Sequence, residues 1–119
     1  PETNKRKSDE RELILKDNFE EYFTLANDAY IQKKFNSAAT LFFKAIVALC
    51  DLYVLRTSGF VPTSHTHRFR VLEENFPVLY KIVDRDFPFY QESYTKKINE
   101  EAARLLKDDA FSLKKMLKL

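Results

Sequence analysis

Glycine is almost missing from this chain of 119 residues, which contains one Gly, four Pro, one Cys and no Trp. Such a shortage of turn-forming residues argues against hairpin-rich β architectures, and the abundant Leu, Lys, Glu and Ala favour helices. A single Gly also excludes a glycine-rich phosphate loop. The lone Cys50 cannot form an intrachain disulfide, and its place among apolar residues predicts a small buried thiol.

Strong net charge and long apolar runs are missing as well. The 20 basic and 18 acidic residues give a net charge of +2, which argues against a duplex-binding protein that depends on a strong basic field. The longest apolar run, residues 45–50, has six residues, whereas roughly 20 are needed to span a bilayer. The start of the chain is not of the secretory type. We therefore expect a cytoplasmic protein that does not enter a membrane.

What the chain does have is apolar residues at helical spacing along most of its length. The basic tract Lys5–Lys7 precedes the first such pattern, so we expect a flexible basic arm over residues 1–8 and one domain over residues 9–119. Helices are predicted at about residues 9–33, 37–58, 64–75 and 77–86, with a last helix from 89 onward that is continuous or restarts at Thr95 or Asn99. This pattern predicts an all-α fold, an up-down bundle of four-helix type with three long and two short helices.

Capping and helix-breaking residues support these boundaries. Asn36 is expected to cap the second helix, and Gly59 to end it in a left-handed conformation. Thr63 or Ser64 is expected to cap the third helix, Pro77 to begin the fourth, and Pro88 to break the chain before the last helix.

The second predicted helix is apolar around most of its circumference. One stripe consists of Ala38, Leu41, Phe42, Ala45, Leu49 and Tyr53. A second stripe contains Phe43, Ile46, Cys50 and Val54, and only a narrow edge with Thr40, Lys44 and Asp51 is polar. One neighbour cannot cover so much apolar surface. We therefore predict a homodimer in which the second stripe faces the other subunit.

Few polar residues lie where a helical bundle would not need them. His65 falls on the apolar side of the third helix and is expected to be partly buried, while His67 points to the other side. The two histidines therefore cannot share a metal ion, and no metal or cofactor is expected. Asp109 falls on the apolar stripe of the last helix, so it needs a partner such as Arg56 or a Tyr, or the helix breaks there. Arg56 could instead bind phosphate or cap its own helix.

Residues 26–72 resemble the HEPN superfamily of small prokaryotic helical domains. The resemblance rests on FNSAATLFFKAIVALCDLYVL in the second helix and on GFVPTSHTHRFRVL, the proline-containing loop and the helix after it. It implies a homodimeric bundle of four or five helices that associates with nucleotides or RNA. It also implies pairing with a nucleotidyltransferase in a toxin–antitoxin module.

Many members of that superfamily are ribonucleases that use an Arg and a later His with four to six residues between them. Here eight residues separate Arg56 from His65, so no catalytic residue is assigned, and a ribonuclease with an atypical Arg/His site is an alternative. The resemblance suggests a module that binds nucleotide or RNA in a groove near Arg56, His65, His67 and Arg68.

A second alternative comes from residues 26–45, which look like one tetratricopeptide hairpin with Phe35, Ala38, Phe42 and Ala45 at the usual offsets. Such repeats are scaffolds for protein–protein interaction, and about three stacked copies are needed for stability. The sequence shows no second copy.

Overall fold

The computed structural model describes residues 2–118, with side chains from Glu10 onward, and this part of the chain contains helices and no strand. The helices are α1 (Glu2–Ile31), α2 (Phe35–Ser58), α3 (His65–Asn75), α4 (Pro77–Glu92) and α5 (Glu100–Met116). The predicted all-α class is confirmed. The predicted arm over residues 1–8 lies outside the residues whose side chains are described.

Helix α2 is the centre of the fold, because α1, α4 and α5 all pack against it. The second apolar stripe is therefore covered by the chain itself: Phe43, Ile46, Cys50 and Val54 are each at most 1% exposed. The prediction that these four side chains face another subunit is wrong for this conformation. A helix that is apolar on all sides needs several neighbours, and one chain supplies three.

The same burial explains two further properties of α2. By length and composition α2 could cross a membrane, yet 72% of its most apolar window is buried inside the protein, as in a core helix. Cys50 is completely buried, as predicted, and burial raises the pKa of its thiol to about 12. The thiol is therefore protonated and shielded from solvent.

Most of the predicted helix boundaries agree with the structure. Gly59 adopts a left-handed conformation (φ 83°) and its N–H donates to the Leu55 carbonyl. The Ser64 hydroxyl caps α3 by accepting from the His67 N–H at 3.1 Å. The last helix restarts at Asn99, whose side chain accepts from the Ala102 N–H at 2.9 Å.

Three boundary predictions are wrong. The first helix begins at Glu2 and not at about residue 9. Lys34, not Asn36, occupies the N-cap position of α2. Asn36 lies in the first turn and ties it to the α4–α5 connection: its Nδ2 donates to the Ser93 carbonyl at 3.0 Å and the Lys96 carbonyl at 2.6 Å, and its Oδ1 accepts from the Ile98 N–H at 2.9 Å. An amide side chain has both donors and acceptors, so it can either cap a helix or bond to a distant segment. The sequence does not indicate the distant partners.

Pro88 does not break the fourth helix, because α4 continues through it to Glu92. Pro88 is exposed while Tyr90 is buried. Packing of the buried side therefore holds the helix together, and the backbone hydrogen bond that Pro88 cannot donate is missing on the side open to water. The extension makes α4 and α5 almost equal, at 16 and 17 residues. The predicted division into three long and two short helices therefore does not describe the lengths well.

Candidate functional site

A cavity of about 300 Å³ lies between α1, α2, the start of α3 and α4. Its lining combines aromatic, cationic and hydrogen-bonding side chains. The lining residues are Leu15, Asn18, Tyr22, Phe43, Lys44, Val47, Ala48, Asp51, Ser64, His65, Arg68 and Tyr90. Helix α2 contributes its narrow polar edge, and α3 contributes its first turns.

The base of the cavity is a buried ion pair between α3 and α2. Arg68 donates from Nε to Asp51 Oδ1 at 2.7 Å and from Nη2 to Asp51 Oδ2 at 2.9 Å. The two residues are 8% and 5% exposed. Burial raises the pKa of Asp51, although Arg68 acts to lower it. Such a two-point contact fixes the orientation of the guanidinium and ties the start of α3 to α2.

His65 extends this pair towards solvent. Its Nδ1 lies 3.1 Å from Arg68 Nη1, and since a guanidinium only donates, Nδ1 is the acceptor and the neutral ring carries its proton on Nε2. Burial, followed by the nearby charges of Arg68 and Lys44, lowers the pKa of His65. His65 is exposed at the cavity and so less buried than predicted, although the cavity wall removes enough water from the ring to be the main cause of its lowered pKa. It offers a neutral imidazole with a free donor.

Aromatic rings and one further cation complete the lining. Tyr90 stacks on Phe43 with ring centroids 4.8 Å apart, and Lys44 Nζ lies 5.9 Å from the centre of the Tyr90 ring. Lys44 is exposed and belongs to none of the ion pairs among the described side chains. Because Asp51 balances Arg68, Lys44 leaves the cavity with one excess positive charge.

The structure brings together two of the four residues predicted to bind a ligand. His65 and Arg68 line the cavity, but Arg56 and His67 do not. Arg56 Nε lies 3.6 Å from Glu12 Oε2 in a half-exposed pair between α2 and α1. His67 accepts at Nδ1 from the Thr63 N–H at 3.1 Å and stacks on Phe60, so it shapes the loop before α3.

Asp109 also has a different partner from those suggested. It is buried on the apolar stripe of α5, as predicted, but it accepts from Arg85 Nη2 at 2.8 and 2.7 Å, and α5 continues past it. Neither Arg56 nor a Tyr takes this position. Arg85 comes from α4 and lies 24 residues before Asp109. Nothing in the local sequence pattern indicates this contact.

Sequence reasoning missed Lys44 and Asp51 as site residues. Both were assigned to a water-facing edge of α2, and Asp51 is in fact buried. The available signal was the regular spacing of Thr40, Lys44 and Asp51, at intervals of four and seven, along a helix that is otherwise apolar. A polar stripe on a central helix indicates a polar cavity as readily as a solvent-facing edge.

The cavity can bind an anion beside a flat ring, using the Lys44 ammonium, the His65 Nε2–H and N–H groups of Arg68 that Asp51 and His65 leave free. Among the described residues no group of three or more His, Cys, Asp or Glu side chains could hold a metal ion. Comparison of the chain with protein-family models, with curated proteins and with solved structures finds no match.

Proposed function

We propose that this protein is a small binding module, a HEPN-like up-down bundle that holds a nucleotide, or one nucleotide unit of RNA, in the cavity between α1, α2, α3 and α4. The observation that carries the proposal is the excess positive charge of Lys44 beside an aromatic wall. The cavity has a volume of about 300 Å³, which lies at the small end of the usual range for ligand sites.

The phosphate of such a ligand would be recognised by charge and by N–H donors. Lys44 supplies a charge that no described carboxylate balances. The neutral His65 supplies its Nε2–H, and the Asp51–Arg68 pair holds His65 in place through the 3.1 Å contact with Arg68. A hydrogen bond to a charged group contributes about 1.5–3 kcal/mol.

The base would be recognised by stacking. Tyr22, which is partly buried, lines the cavity, and stacking of one base on an aromatic side chain contributes roughly 1–3 kcal/mol without strong sequence preference. Asn18 adds an amide that can donate and accept at the edge of a base. The combination favours a ligand that is flat at one end and anionic at the other.

The experiment is a calorimetric titration with the four nucleoside monophosphates, the matching nucleosides and a short single-stranded RNA. Lys44→Ala should weaken binding of the phosphorylated ligands by about 10- to 100-fold, from the worth of a charged hydrogen bond, and should hardly change nucleoside binding. Lys81→Ala is the matched control, because Lys81 is an exposed lysine of α4 that does not line the cavity. Equal losses in both lysine variants, or no binding of any nucleotide at millimolar concentration, would contradict the proposal.

One observation favours ribonuclease activity as a second candidate. An Arg and a His do meet in the cavity, but they are Arg68 and His65, at 3.1 Å, and not the spaced pair Arg56 and His65. Incubation of the protein with a labelled RNA, compared with His65→Ala, separates cleavage from binding. Binding without cleavage supports the non-catalytic module.

The helix lengths do not favour the tetratricopeptide alternative. A complete repeat of that type has about 34 residues, whereas α1 alone has 30 residues and α2 has 24. The homodimer and the nucleotidyltransferase partner stay proposals that rest on the HEPN resemblance. Light scattering at micromolar concentration tests the dimer, and a mass near 14 kDa, that of one chain, would exclude it under those conditions.

A further inference from the structure

Helices α4 and α5 meet at a cluster of one arginine and two aspartates that the cavity does not use. Arg85 Nη2 reaches across to both carboxylate oxygens of Asp109, at 2.8 and 2.7 Å. The neighbouring Asp86 comes from the same helix as Arg85, and its Oδ1 lies 3.4 Å from Arg85 Nε. Arg85 is thus shared between two carboxyl groups.

Asp86 is the unusual member of this cluster. It is 0% exposed, and its Oδ2 is buried without a hydrogen-bond partner among the described residues. The Arg85 side chain is 53% exposed, whereas that of Asp109 is 12% exposed. If both aspartates were ionised, one partly hydrated cation would face two enclosed anions, which is an unfavourable arrangement away from water.

A proton on Asp86 removes both difficulties. It cancels the excess negative charge, and it turns Oδ2, the oxygen that has no donor partner among the described residues, into a donor whose hydrogen bond Asp109 can accept. We propose that Asp86 is held as a neutral carboxylic acid which donates to Asp109, so that Arg85, Asp86 and Asp109 form a proton-dependent clamp between α4 and α5. The clamp opens when Asp86 ionises.

The surroundings of Asp86 agree with this assignment. Burial, followed by the hydrogen bond that a protonated Asp86 would donate to Asp109 and by the negative charge of Asp109, raises the pKa of Asp86 to about 9, and Arg85 opposes the rise. Helix α2 also packs against α4 and α5. Its buried Asp51 is paired with Arg68, and its Cys50 thiol is neutral because its pKa is about 12.

The clamp has a measurable consequence for the opening of α5. An opening that exposes Asp86 to water returns its pKa from about 9 towards 3.8, so at any pH between these values opening releases one proton. By linkage, the equilibrium constant for opening then rises by up to about tenfold per pH unit. Helix α5 should therefore become less protected as the solution becomes more alkaline.

The experiment measures protection factors for the α5 amide protons, corrected for intrinsic exchange, from pH 6.5 to 8.5. The wild-type protein should lose protection by up to about tenfold per pH unit. Asp86→Asn keeps the size of the side chain and a donor for Asp109 but cannot ionise, so its protection should hardly change with pH. Asp108→Asn is the matched control, because Asp108 is the exposed neighbour of Asp109, and it should behave as the wild type does.

A direct titration keeps the proposal open to contradiction if Asp86→Asn does not fold. In the wild-type protein the carboxyl carbon resonance of Asp86, followed by NMR, should stay in its protonated position through pH 7. Titration of Asp86 near pH 4, the range of an aspartate in a model peptide, overturns the proposal. An alkaline loss of α5 protection that persists in Asp86→Asn overturns it as well.

Discussion

Two arginine–aspartate arrangements hold this helical protein together, and they balance their charges differently. Arg68 and Asp51 join α3 to α2 as a one-to-one pair in which both residues are buried. Arg85 joins α4 to α5, but its side chain is 53% exposed and it faces two aspartates, of which Asp86 is fully enclosed. The first arrangement is neutral by itself, whereas the second becomes neutral only by taking up a proton.

This difference decides what each arrangement can do. Because Asp51 neutralises Arg68, the cavity has a rigid base, and Lys44 provides the charge that a ligand can meet. Because Arg85 cannot neutralise both Asp86 and Asp109, the second arrangement responds to pH. One cluster therefore supports a binding site, and the other joins two helices under the control of a proton.

The largest expected effect comes from breaking the one-to-one pair. Asp51→Asn leaves the Arg68 guanidinium buried without its counter-charge and should lower the free energy of unfolding by about 3–5 kcal/mol. Urea denaturation measured by circular dichroism checks this value. The double variant Asp51→Leu with Arg68→Met removes both charges and should recover most of the loss. A loss below about 1 kcal/mol in the single variant would place the pair among weak surface contacts.

A smaller effect is expected from the corresponding change in the second arrangement. Asp109→Asn removes one of two carboxylates, and Arg85 then has Asp86 as a partner and water on its exposed side. The free energy of unfolding at pH 7 should fall by about 1 kcal/mol, and the pKa of Asp86 should fall because the neighbouring negative charge is gone. The same urea experiment tests the first statement, and NMR titration of Asp86 tests the second. A loss as large as that of Asp51→Asn would mean that the two arrangements do not differ.

The sequence predicted those features that depend on local chemistry. Gly59 and Ser64 occupy the predicted caps because the rules for helix ends involve residues three or four positions apart. The all-α class follows from apolar spacing along each helix. Asn36 shows the limit, because its partners Ser93, Lys96 and Ile98 lie about 60 residues away.

The candidate site was predictable only in part, for the same physical reason. His65 and Arg68 lie one turn apart on α3, so their proximity follows from helix geometry. Their meeting with Asp51 and Tyr90 depends on how α2, α3 and α4 pack together. The second stripe of α2 misled the prediction of an interface, since periodicity shows that a face is covered but not whether the cover is the same chain or another.

The last prediction compares His65, beside the first arrangement, with Asp86 of the second through their opposite effects on the slope of stability against pH. The pKa of His65 is lowered in the folded protein, so between that lower value and about 6.5 the unfolded chain binds more protons, and stability rises with pH. The pKa of Asp86 is raised to about 9, so between about 3.8 and 9 the folded protein binds more protons, and stability falls as pH rises. The two effects oppose each other below pH 6.5, and only that of Asp86 acts above it.

Stability should therefore fall less steeply with rising pH between the lowered pKa of His65 and about 6.5 than above 6.5, where it should fall by up to about 1.4 kcal/mol per pH unit towards pH 9. His65→Gln should remove this change of slope. Asp86→Asn should remove the fall and reveal a rise below pH 6.5. Urea denaturation at half-unit steps of pH measures all three profiles. Matching profiles for the wild type and both variants would show that neither group is linked to folding, and the contrast between the balanced and the proton-dependent arrangement would then be lost.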